Sequence, residues 1–122
     1  MATYSKILLS GSTDGQGISI TGIAPTLGNT LHTAVTGAAA SLDEVWLYAY
    51  NTVTSPRELT ILWGVSDAGS RFTYTVTAAQ PAGLYLISPG LPIRNAKVIK
   101  ASVTTGAAGN ISIFGWVNRL VS

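Results

Sequence analysis

The sequence predicts an all-β fold, an antiparallel sandwich or barrel of eight or nine short strands. Three observations carry this. Apolar residues recur at every second position through most of the chain, the period of a strand with one buried face. Clusters of Gly, Pro and Asn interrupt that alternation every 10 to 13 residues or so, a rhythm of short strands and turns. No long stretch has the 3.6-residue period of an amphipathic helix, which removes βαβ architectures.

Each element follows from its own pattern. Tyr4 to Ser10 reads as the first strand, and Gly11 to Gly17 as a turn in which Asp14-Gly15 is a hairpin signal. Gln16 to Ile23 is a second strand with Ile18 and Ile20 on one face. Pro25 and Gly28-Asn29 punctuate the chain before Thr30 to Thr36, where Leu31, Thr33 and Val35 alternate. Gly37 to Ser41 is a small-residue loop, too short to stand as a helix. Asp43 to Thr52 is the strongest strand. Val45, Leu47 and Ala49 share one of its faces, and Trp46, Tyr48 and Tyr50 the other. With two substantial faces, it is expected to be central, covered on both sides or meeting another subunit through its aromatic face.

Asn51 to Pro56 is a turn, and Arg57 to Gly64 a strand with Leu59, Ile61 and Trp63 aligned toward the core. Asp67-Ala68-Gly69 marks the next turn. Arg71 to Thr77 then points Phe72, Tyr74 and Val76 inward. After a connection through Pro81, Leu84 to Ile87 is a short strand. Ser88 to Arg94 is expected to be irregular because it holds Pro89-Gly90 and Pro92. Lys97 to Thr104 is a strand with Ile99, Ala101 and Val103 as its apolar face. Asn110 to Leu120 closes the chain, with Ile111, Ile113 and Val117 opposite Phe114 and Trp116.

Composition narrows the function. The length of 122 residues fits one domain, 1–122. Only 10% of residues are charged, against roughly 25% in ordinary soluble domains. Fifteen Thr and twelve Ser supply the polar surface instead. With no cysteine and one histidine, His32, neither a thiolate site nor a multi-histidine metal centre is possible, and no cofactor is expected. A net charge of +2 from scattered residues argues against a nucleic-acid surface. Apolar runs stop far short of the roughly 20 residues of a membrane-spanning helix. Lys6 with Ile7-Leu8-Leu9 is too short for a secretory leader, so use without secretion is expected.

No catalytic constellation emerges, and a non-enzymatic role is expected. His32 has no orienting carboxylate near it in sequence and reads as a strand histidine on a solvated or interface face. Asp43 and Glu44 are adjacent, so in a strand they point to opposite faces and cannot act as an acid/base pair. They read as turn caps or as interface ion pairs. Gly11 to Gly17 superficially resembles a phosphate loop, but an alternating strand follows it where a helix would be needed. Trp46, Tyr48, Tyr50, Trp63, Phe114 and Trp116 read as core or subunit contacts, with a sugar-binding platform as the alternative. Few charges also suit a protein that lies against neighbours, because charged residues are depleted at interface cores.

The segments Val45-Trp46-Leu47-Tyr48-Ala49-Tyr50-Asn51, Glu58 to Gly64, Gly83 to Ile87 with its Pro89-Gly90-Leu91-Pro92-Ile93 loop, and Asn110 to Arg119 carry a resemblance. In overall pattern the chain resembles the small head-decoration, or capsid cement, proteins of tailed bacteriophages. The resemblance implies a jelly-roll-like β-sandwich made in the host cytoplasm and residing on the virion, at the capsid surface. It implies two partners, the major capsid protein and further copies of the chain, with a trimer favoured over a dimer. It implies no nucleic acid, no membrane and no catalytic residue. Candidate oligomer or capsid contacts are Trp46, Tyr48, Tyr50, Phe114 and Trp116, with Arg57, Arg71, Arg94 and Arg119 facing acidic capsid loops. The N-terminal segment Met1 to Ser10 is a candidate for pairing with a neighbour or with the capsid, because a terminal edge strand is a template for a further strand. The alternative function is a carbohydrate-binding module or the head of a receptor-binding spike.

Overall fold

In a computed structural model, the described residues are 3–23, 28–37, 40–64, 70–76, 83–104 and 106–122. They form nine strands: β1 (Thr3–Leu8), β2 (Ile18–Ser19), β3 (Asn29–Thr33), β4 (Leu42–Asn51), β5 (Arg57–Trp63), β6 (Arg71–Val76), β7 (Tyr85–Ile93), β8 (Val98–Val103) and β9 (Ile111–Val121). The all-β sandwich expected from the alternation is the fold observed. Among the described residues, no helix is long and apolar enough to cross a membrane.

The strands divide between two sheets. The first has the order β1-β9-β4-β7, with β2 also beside β9, and the second has the order β3-β8-β5-β6. All these pairs are antiparallel. They are also nested: β1 pairs with β9, β3 with β8, β4 with β7, and β5 with β6. A single long hairpin rolled over on itself produces that nesting, and this is the jelly-roll topology. Strand order is not legible in the periodicity, because alternation fixes which side chains turn inward and not which strand lies beside which.

The core lies between the sheets. Val45, Leu47 and Ala49 of β4 and Ile111, Ile113 and Val117 of β9 meet Leu59 and Ile61 of β5 and Ile99, Ala101 and Val103 of β8. These are the residues that the period of two assigns inward. Turn chemistry agrees at Asp14-Gly15. Both residues have positive φ, at 54° and 81°, and Gln16 N donates to Thr13 O at 2.9 Å, the geometry of a tight turn, although the strands it joins, β1 and β2, pair with β9 and not with each other, so no hairpin forms. Asn51 closes the next corner. Its Oδ1 accepts from Val53 N at 3.0 Å and its Nδ2 donates to Ser55 O at 2.8 Å.

Three expectations need correction. Residues 88–93 are not irregular, because β7 runs through Pro89 and Pro92 to Ile93. Two register shifts against β4 accommodate them, and β7 is a sheet edge, where proline is tolerated. The second strand shrinks to Ile18–Ser19, although Ile20 is fully buried as its alternation requires. Tyr74 does not point into the core. It is 39% exposed, and its hydroxyl donates to Ile87 O at 3.2 Å. Trp63 packs against the core as its phase requires, but it is only half-buried, with Nε1 donating to Pro92 O at 3.3 Å. The loop centred on Asp67 and Pro81 of the connecting segment fall outside the described residues.

Candidate functional site

Two groupings stand out, one on the surface and one inside. The surface grouping is the outer face of the first sheet. Trp46 lies opposite Trp116 across the β4–β9 pair, and Tyr48 opposite Phe114. Tyr50 follows on the same face of β4. The structure therefore brings all five aromatic candidates onto one surface, each of them half-buried. Leu8 sits opposite Trp116 on β1 and Leu86 opposite Tyr48 on β7, both 51% exposed. The apolar surface thus spans four strands. The face also carries Lys6 and Glu44, and Glu44 accepts a hydrogen bond from Asn118 Nδ2 at 3.0 Å.

The two tryptophans stand on edge. Their ring centroids are 5.4 Å apart with the planes 7° from parallel. On one side Lys6 Nζ lies 4.6 Å from the Trp116 ring centroid, a cation–π contact. On the other, a Cβ at Gly90 would come within 3.1 Å of Trp46 Cζ2, so the glycine backbone lies against that indole. Gly90, Trp46, Trp116 and Lys6 form a row across β7, β4, β9 and β1. Phe114 is likewise overlaid by Gly17, where a Cβ would come within 2.6 Å of the ring. A sugar platform offers an open aromatic face. These tryptophans offer edges, and their faces are taken by each other, by Lys6 and by Gly90.

The arginine candidates do not join this surface. Arg57 opens β5 and Arg71 opens β6, both in the second sheet. Arg94 follows β7 and is exposed. Arg119 lies on β9 in phase with the inward residues, and its guanidinium is engaged inside the molecule.

That engagement is the second grouping. Asp43 and His32 are fully buried. Arg119 Nε and Nη2 donate to Asp43 Oδ1 and Oδ2 at 2.8 and 2.9 Å, a bidentate pair. Asp43 Oδ2 also accepts from Val35 N at 3.1 Å and lies 2.7 Å from His32 Nε2. Ser10 N donates to His32 Nδ1 at 3.0 Å. A backbone N–H can only donate, so Nδ1 is bare and Nε2 carries the proton. His32 is therefore neutral, Asp43 ionised and Arg119 charged. Burial holds the His32 pKa below its ordinary value, outweighing the bond and charge of Asp43. Burial works to raise the Asp43 pKa, but the hydrogen bonds from Arg119 and His32 outweigh it and lower it overall. The Asp43 bond raises the pKa of Arg119.

Two readings of the sequence are corrected here. His32 is buried rather than solvated, and Asp43 is paired within the chain rather than capping a turn or an interface. The Asp–His contact superficially resembles part of a hydrolase triad. Its chemistry differs, because the histidine lone pair that would serve as base is occupied by a backbone amide. The centre ties β4 and β9 of the first sheet to β3 of the second. Among the described residues, no three His, Cys, Asp or Glu side chains cluster as metal ligands. A signal for this centre was present in the sequence. Asp43 is in phase with Val45, Leu47 and Ala49, and Arg119 with Ile111, Ile113 and Val117, so each places a charge on a core face.

No protein-family model matches the chain, and no curated protein matches it. Among solved structures, one chain of "Structure of infectious bursal disease virus Gt strain" is similar, with a TM-score of 0.43 and 19% identity. The alignment covers 98% of this chain and 32% of that one, so this chain spans about a third of its length. A likeness of that degree carries no argument about function.

Proposed function

We propose that the chain is a structural, non-catalytic virion protein: a capsid decoration protein that binds the outer surface of a tailed-phage head and stabilises the shell as a homo-oligomer. The observation that carries this reading is the outer face of the first sheet. It is apolar and aromatic across four strands, with Trp46, Tyr48, Phe114 and Trp116 at its centre, in a chain with only 10% charged residues. A monomeric soluble protein rarely exposes so continuous an apolar surface without a partner for it. The on-edge tryptophan row suits a protein partner, since rigid aromatics are the favoured anchors of protein interfaces. Jelly rolls recur in viral shells and in lectins alike, so the fold supports the reading only weakly.

The test is binding to expanded heads of the phage whose genome encodes the chain. The chain is expected to co-sediment with the heads and to raise the temperature at which they rupture. A folded Trp46→Ala/Tyr48→Ala variant should bind at least about tenfold more weakly, as loss of interface anchors does. Heads that neither bind the protein nor gain heat resistance would overturn the proposal.

A further inference from the structure

The edges of the two sheets are not treated alike. The β3 edge is covered, since Gly11 N donates to Leu31 O at 2.9 Å and Thr33 N donates to Ser10 Oγ at 2.7 Å. The β7 edge holds Pro89 and Pro92, which have no N–H, and aromatic side chains occupy its Ile87 and Pro92 carbonyls. β6, the other edge of the second sheet, holds no proline, glycine or acidic residue and pairs with β5 without a register shift, but its Arg71 carries a charge and its Tyr74 hydroxyl is tied to Ile87 O. β1 has neither a cover nor a proline among the described residues, and its one charge, Lys6, is drawn away from the edge over the Trp116 ring of β9. It contains no proline, glycine or acidic residue, and its six residues pair with β9 without a register shift. All of them are exposed except Ile7, which is half-buried. A regular, open strand edge is a template for another strand, and proteins that leave one open without guarding it use it or aggregate.

We infer that β1 is a homodimerisation edge, pairing antiparallel with β1 of a second copy about a two-fold axis through Ser5. The choice of a second copy rests on self-complementarity. Side chains directly opposite must share a face, so the paired residue numbers must sum to an even value. Two registers pair five residues. One sets Lys6 against Lys6 of the second copy, and like charges directly opposite repel. The other sets Ser5 against Ser5, Thr3 against Ile7 and Tyr4 against Lys6. It places a small residue on the axis and sets the Tyr4 ring beside the Lys6 stem, with the Lys6 ammonium still over Trp116 of its own chain and no like charges opposed. Tyr4 is 63% exposed in the single chain and so is available for this. The two first sheets then join as β7-β4-β9-β1-β1-β9-β4-β7. Their aromatic outer faces lie on the same side, which doubles the surface assigned above to the capsid. The inference deepens that reading by replacing the favoured trimer with a two-fold pair.

The absence of cysteine makes the register directly testable. Opposed residues in an antiparallel pair have Cα atoms roughly 4.5–5.5 Å apart, within disulfide reach. Ser5→Cys should therefore link two copies under mild oxidation, while Thr3→Cys and Leu8→Cys, each far from its own copy across the axis, should not. Tyr4→Lys should abolish the dimer in sedimentation, and Tyr4→Lys/Lys6→Glu should restore it. These side chains are exposed, so the fold is expected to survive, as a thermal melt verifies. Ser5→Cys linking no faster than Thr3→Cys, or a trimer in sedimentation, would overturn the pairing. So would a pairing strand that proves to come from another protein. Heads that bind a strictly monomeric chain would sink the pairing and leave the decoration role standing. A dimer of the Ser5→Cys variant, covalently linked but indifferent to heads, would do the reverse.

Discussion

His32 holds a backbone amide at one ring nitrogen and a carboxylate at the other, and nothing in that arrangement accepts a second ring proton without loss. Its proton affinity is lower in the folded chain than in the unfolded one. On acidification the unfolded state therefore takes up the proton first. Stability from this group is complete above the ordinary histidine value of 6.5 and declines as pH falls below it. Asp43 acts in the same direction further down, below its ordinary 3.8, because its folded pKa is also lowered. The melting temperature should fall between pH 7 and pH 5 or so, and His32→Gln should flatten that part of the profile. A wild-type profile that is flat or rising over the window would contradict the neutral assignment. Arg119→Ala leaves a buried carboxylate with half its partners and should cost about 3 kcal/mol in denaturant unfolding. Replacing His32, Asp43 and Arg119 together with apolar residues of similar volume should cost less than that single truncation. Asp43 and Arg119 sit on core parity in their strands, so the inward turn of both, though not the partial exposure that Arg119 keeps, had a signal in the sequence. The contact among the three residues had none, because β3, β4 and β9 are far apart along the chain.

At the level of elements, period-two alternation gave the right inward faces for β4, β5, β8 and β9, failed at Tyr74 of β6, and left the depth of burial open. Trp63 is in phase with Leu59 and Ile61 and packs against the core and the Phe72 ring, yet at the end of β5 it is only half-buried. Burial then reverses the ranking that side-chain size would give. Ile61→Ala, at a fully buried position, should cost about 2–5 kcal/mol, and Trp63→Ala about 2 kcal/mol, below the roughly 3–5 of a fully buried aromatic. Equal or inverted costs in matched urea titrations would place Trp63 in the core. Residues 88–93 of β7 escaped recognition because the prolines among them read as breakers. An edge position with two register shifts removes the objection, and only the sheet order reveals that it is an edge. The β4–β9 pair depends on Gly115, where a Cβ would run into the Trp46 carbonyl. Gly115→Ala should destabilise by at least about 1–3 kcal/mol, as overpacking does, and shift the fluorescence of the stacked tryptophans. An unchanged melt and emission spectrum would count against so close a backbone approach.

For the whole molecule, nesting sets the folding problem. The first and last strands pair with each other, and β9 joins β1, β2 and β4. Most loops must close before the central sheet is complete, so refolding should take milliseconds to seconds, the range of all-β domains rich in non-local pairs. Stopped-flow refolding complete in microseconds would contradict that. Low charge belongs to this scale too, since it leaves the outer face of the first sheet apolar from β1 to β7 and gives the chain a surface suited to neighbours. Alternation and turn chemistry alone were enough for the class of fold, the inward residues of the long strands, the tight turn at Asp14-Gly15 and the sharing of one face by Trp46, Tyr48 and Tyr50. Each of these is a local consequence of backbone geometry. It took the assembled sheets to show that Phe114 and Trp116 complete that face, that the tryptophan rings stand on edge, that His32, Asp43 and Arg119 meet, and that β1 is left as an open edge. Those depend on which strands lie side by side, and strand order is fixed by packing summed over the whole core, which alternation within one strand does not encode.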